Sequence, residues 1–130
     1  MNGMRRLRRA MLGLAISVGF AALFPAYATS ISPFSQVLFE GDDATLNESQ
    51  KAHLDRVLED EAFRGKKLII TGHYDRTGSA EHRLEMSRRL AEAVRDYLVA
   101  VGVPPDKLTV YWRGDSVLAK RAVTIMPSCC

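Results

Sequence analysis

Apolar and polar positions change their period several times along this chain, and each change marks an element. Gln36-Val37-Leu38-Phe39 is a short apolar run, closed by Glu40-Gly41-Asp42-Asp43, and predicts a first strand. Asn47 with Gln50 three residues later has the form of a capping box, and Leu54, Val57 and Leu58 then fall on one helical stripe. Arg64-Gly65-Lys66 supplies a turn, and Leu68-Ile69-Ile70-Thr71 predicts a central strand covered on at least one face. Gly72-His73-Tyr74-Asp75-Arg76-Thr77-Gly78-Ser79 reads as the loop after that strand, with Ser79 placed to cap the next helix. Met86, Leu90, Ala93, Val94, Tyr97, Leu98 and Val101 recur at helical steps over four turns, until Gly102 and Pro104-Pro105 stop the run. Leu108-Thr109-Val110-Tyr111-Trp112 predicts a third strand, Gly114-Asp115 a turn, and Ala122-Val123-Thr124-Ile125 a fourth strand. The order β-α-β-α-β-β implies an α/β (α+β) sandwich: one mixed four-stranded sheet with both helices packed against it.

The first 28 residues follow different rules. Arg5, Arg6, Arg8 and Arg9 precede an uncharged apolar stretch over residues 10–24, and Pro25-Ala26-Tyr27-Ala28 ends it. This is the pattern of a secretory signal peptide cut after Ala28; the competing reading is an uncleaved membrane anchor. In both cases the body is exported. Arg8-Arg9-Ala10-Met11-Leu12 is only a partial twin-arginine pattern, and no Cys near the cleavage site supports a lipid anchor. The leader also explains the charge. The full chain carries 18 Lys+Arg against 15 Asp+Glu, but without these four arginines the body is near neutral, at −1. That balance gives no electrostatic footprint for nucleic acid. Residues 29–35 form a polar lead-in, residues 36–126 a single domain, and residues 127–130 a tail.

Cys129 and Cys130, the only cysteines, end the chain. A ring between adjacent cysteines strains the peptide between them, so the open readings are a disulfide linking two chains and a frayed tail without a role.

Thr71-Gly72-His73-Tyr74-Asp75-Arg76-Thr77-Gly78, followed by Met86-Ser87, Ala91 and Val94, resembles the peptidoglycan-binding domain of the OmpA/Pal/MotB family, usually G-H-[TA]-D-x-x-G and then N-x-x-L-S-x-x-R-A-x-x-V. The likeness extends to Phe39-Glu40-Gly41-Asp42-Asp43-Ala44-Thr45-Leu46, to Gly102-Val103-Pro104-Pro105-Asp106-Lys107-Leu108, to Gly114-Asp115-Ser116 and to Arg121-Ala122-Val123-Thr124-Ile125. It implies a non-enzymatic module of a Gram-negative-type envelope, without a cofactor. It would lie in the periplasm, with the outer membrane or cell wall, and bind peptidoglycan, with an envelope protein as a further possible partner.

In that family an Asp and an Arg clamp the zwitterionic end of diaminopimelate in the stem peptide, which calls for one anion and one planar cation. Asp75 matches the anion. The Arg expected fifteen residues on is Leu90, and Arg89 is turned about 100° away around the helix. Arg83, two turns before Leu90 on nearly the same face, is the candidate stand-in; otherwise it pairs at the surface with Asp75 or Glu85. Gly72, His73 and Gly78 would shape the binding loop. The link between Ser116 and Arg121 is also shorter than the family's, which removes one wall of the usual groove. The alternative reading keeps the fold as a structural or protein-interaction module that has lost its wall ligand.

Other constellations carry less. His73, Asp75 and His82 do not follow an established zinc spacing, and Ser87 lacks the G-x-S-x-G elbow of a hydrolase. Gly72 and Gly78 are not followed by the G-K-[ST] of a phosphate cradle. Trp112 beside Tyr111 could stack on a sugar ring, although packing in a short strand accounts for it equally well.

Overall fold

The computed structural model describes residues 33–115 and 119–128, so the leader, most of the lead-in, Ser116 and the two cysteines lie outside it. The elements are β1 (Ser35–Leu38), α1 (Glu48–Glu59), β2 (Leu68–Tyr74), α2 (Ala80–Ala100), a 3-10 turn (Pro105–Lys107), β3 (Leu108–Asp115) and β4 (Ala122–Pro127). The predicted order holds. Asn47 does cap α1, accepting from the Gln50 N–H at 2.8 Å while the Gln50 side chain accepts from the Asn47 N–H at 2.7 Å. Ser79 caps α2 through the His82 N–H at 3.1 Å.

The sheet order is β1-β4-β2-β3. β2 and β3 run parallel across the α2 connection, whereas β4 inserts between β1 and β2 and is antiparallel to both. Both helices contribute to a core with one face of the sheet, where Val37, Leu68, Ile70, Tyr74, Val123 and Ile125 meet Leu54, Met86, Leu90, Val94 and Leu98. The opposite face is wetter, with Leu38, Tyr111 and Met126 exposed.

Several strand boundaries differ from expectation. β1 begins at Ser35, inside the expected lead-in, because the Ser35 side chain is buried and hydrogen-bonds the His53 ring on α1 at 2.9 Å. β2 runs on through Gly72, His73 and Tyr74, which the sequence assigned to a loop. Those residues pair with Val123 and Ala122 on β4 and with Trp112 and Asp115 on β3, so ladder bonds on both sides override the loop-like composition. Gly72 is needed there for contact, since a Cβ would sit 1.9 Å from the Ser87 carbonyl oxygen of α2. Lastly, Gly114 and Asp115 continue β3 and Met126 and Pro127 continue β4.

The helical stripe ends at Leu98. Val101 caps α2 and is 45% exposed.

Candidate functional site

Inserting β4 between β1 and β2 brings three distant stretches of chain together. Ala122 pairs with both Leu38 and His73, so Arg121, just before β4, lies beside Asp75, just after β2. Arg121 Nε donates to Asp75 Oδ2 at 2.7 Å, and its Nη1 lies 3.2 Å from Asp42 Oδ1. The guanidinium also lies over the Tyr74 ring, 4.6 Å from its centroid, and the Tyr74 hydroxyl donates to Asp42 at 2.6 Å. Asp75 Oδ1 meanwhile accepts from the Thr77 N–H at 3.0 Å and from the Thr77 hydroxyl. Two carboxylates thus share one guanidinium, leaving a local excess of negative charge. A cavity of about 460 Å³ opens on this cluster, with Glu40, Gly41, Asp75, Lys120 and Arg121 in its wall.

The surroundings shift the titration of Asp75 and of Tyr74. The Thr77 hydroxyl bond is the largest influence holding the Asp75 carboxyl below its usual range; the Thr77 N–H and Arg121 add to it, while burial opposes it. Burial first, and then the bond to Asp42, raises the Tyr74 phenol.

The residues singled out from sequence fall in different places. Asp75 is a quarter exposed at the centre of the cluster. Arg83 turns back to the loop and donates to the Gly78 carbonyl at 2.6 Å, forming an ion pair with neither Asp75 nor Glu85. Glu85 is taken by Arg88 and Arg89. Gly78 adopts φ +79, a left-handed conformation that favours glycine. His73 is 8% exposed in β2 and bonds Thr124 at 3.2 Å, so it braces the sheet below the loop and does not line it. Burial, followed by the nearby Arg113 charge, lowers its pKa. Leu90 is 1% exposed and belongs to the core. His82 stands edge-on to Tyr74, and among the described residues no three His, Cys, Asp or Glu side chains gather as metal ligands.

Arg121 and Asp42 are the partners that sequence reasoning missed. In the sequence both stand only as members of longer motifs. The signal that could have found them is the position of Arg121 at the mouth of the last strand, but using it requires knowing that β4 lies next to β2.

The OmpA family model matches residues 38–126. The chain belongs to the OmpA family. Outer membrane protein A of Escherichia fergusonii is 34% identical over 85 residues, which cover 63% of this chain and 35% of that protein. The peptidoglycan-associated lipoprotein of Rhizobium meliloti is 30% identical over 97 residues, covering 74% of this chain and 55% of its own. This chain therefore matches only a part of each relative's length. Among solved structures, the peptidoglycan-associated lipoprotein of Burkholderia pseudomallei superposes with a TM-score of 0.61 at 20% identity, over 72% of this chain and 89% of that one. At that identity the likeness speaks for the fold, and the α+β architecture of the OmpA-like domain is shared.

Proposed function

We propose that this OmpA-family protein is an exported envelope module that binds peptidoglycan stem peptides of the diaminopimelate type without forming a covalent bond. The observation that carries this reading is the ionised, partly exposed Asp75 in a rigid loop, with a guanidinium beside it and an open cavity in front. A ligand ammonium would add to the Asp75–Asp42 pair, where negative charge is in excess. A ligand carboxylate needs a cation. Leu90 is buried and supplies none. Arg83 remains the proposed stand-in because it is anchored on the same loop through Gly78, and Arg121 is a second source within the cluster.

One observation favours the alternative of a protein-interaction module. Asp75 already has a cation, so a ligand ammonium must compete with Arg121. Pulldown of the exported protein on purified sacculi separates the two readings. Retention that falls with added salt supports the clamp, since a partly exposed ionic site is screened. Arg83→Ala and Arg121→Ala then assign the carboxylate partner by which one releases the protein. No retention of wild type would leave the interaction module as the function.

A further inference from the structure

We infer that Lys120 is a specificity residue of the Asp75 site, selecting by charge those ligands that carry a carboxylate next to the ammonium. The inference rests on the proposed function and adds a third cation to the two named there. Arg83 meets the loop from α2, whereas Lys120 stands on the β4 side, one residue before Arg121. It lines the cavity of about 460 Å³ together with Glu40, Asp75 and Arg121.

The two cations of this wall are differently engaged. Arg121 is largely covered, and its guanidinium is divided between Asp75 and Asp42. Lys120 is exposed, and among the described residues it enters no ion pair. Every Asp and Glu of the sequence lies within the described residues, so no carboxylate side chain elsewhere can neutralise it. Its backbone, in contrast, is held. On one side the Arg121 carbonyl accepts from the Phe39 N–H at 2.9 Å, and the Arg121 side chain is tied to Asp75. On the other side Ala119 has φ +48, a left-handed conformation that residues other than glycine seldom take and that persists where the surroundings impose it. The root of the Lys120 side chain is thus fixed at the cavity, while its flexible four-carbon stem carries the charge outward.

Charge decides what such a cation recognises. Asp75 and Asp42 outnumber Arg121 and favour an ammonium, but an ammonium alone leaves Lys120 unmatched. A carboxylate on the same ligand carbon meets it, and a carboxamide in that place does not. Glu40 shares the wall and is exposed, so without Lys120 an entering carboxylate would meet like charge there. Lysine acts as a point charge and lacks the two-pronged fork of arginine, so the selection is for charge more than for planar shape.

Calorimetric titration of the exported protein with two tripeptides tests this. One ends in diaminopimelate with its zwitterionic end free; in the other the carboxylate beside the free ammonium is converted to the amide. Wild type is expected to favour the free acid by about fivefold or more, as a partly exposed ion pair allows. Lys120→Met keeps the length of the side chain without its charge and should bring that ratio close to one, by weakening the free acid. Lys120→Arg should preserve it. Circular dichroism melts of the variants establish that the fold is retained. A ratio unchanged in Lys120→Met, or equal affinity of wild type for the two peptides, overturns the inference and leaves stem-peptide binding standing. So does a ratio that collapses in Arg83→Ala and not in Lys120→Met, which places the carboxylate at Arg83. Wild type that binds neither peptide overturns the inference and the proposed function together.

Discussion

Asp75 and His73 lie within three residues of each other, and the fold shifts both toward lower pKa for different reasons. The Thr77 hydroxyl, the Thr77 N–H and Arg121 stabilise the charged Asp75, whereas burial and Arg113 disfavour a charged His73. In each case the unfolded chain binds protons at a higher pH than the folded one, so acidification favours unfolding. The His73 contribution is complete above its unfolded pKa of about 6.5 and is lost as the pH falls through the lower folded value. The Asp75 contribution is complete above about 3.9 and is lost as the pH falls through its own lower value. Thermal melts across pH should therefore show the midpoint dropping first below about pH 6.5 and again below about pH 4. His73→Gln should abolish the first drop and keep the second.

The elements show where sequence was enough and where it was not. Asn47, Gln50 and the stripe from Met86 to Leu98 state local physics, capping and helical period, and the structure obeys both. The end of β2 was illegible because Gly72, His73 and Tyr74 resemble a turn in composition, and only their neighbours on β3 and β4 make them a strand. Arg121 was invisible as a partner of Asp75 for a related reason: the contact spans 46 residues and depends on strand order. Two substitutions probe the packing that builds this frame. Gly72→Ala forces β2 and α2 apart at the Ser87 carbonyl and should cost about 3 kcal/mol or more. Leu90→Arg, which restores the family's usual residue, puts a charge among apolar neighbours and should cost roughly 2–4 kcal/mol. Denaturant unfolding of each variant measures both; an unchanged midpoint for Leu90→Arg would mean that its side chain can reach the loop and water.

For the molecule as a whole, the proposed function ties export to binding, because peptidoglycan lies outside the cytoplasm. The leader pattern predicts cleavage after Ala28, so intact mass of the exported protein should correspond to a chain starting at Thr29. A membrane-bound product starting near Met1 would instead mean a retained anchor. The β4 strand ends beside the start of β2, with Ser128 N–H bonded to the Lys67 carbonyl at 2.7 Å, whereas Asp75 follows the other end of β2. Pro127 and Ser128 therefore lie at the end of the sheet away from Asp75. The central claim is that Asp75 takes the ammonium of a diaminopimelate-containing stem peptide. Its most direct test is calorimetric titration of such a tripeptide into wild type and Asp75→Asn, with melting curves to show that both are folded. The account predicts saturable binding to wild type and affinity lower by about tenfold or more in the variant. Equal affinity in the two proteins, or no binding to wild type, would contradict it.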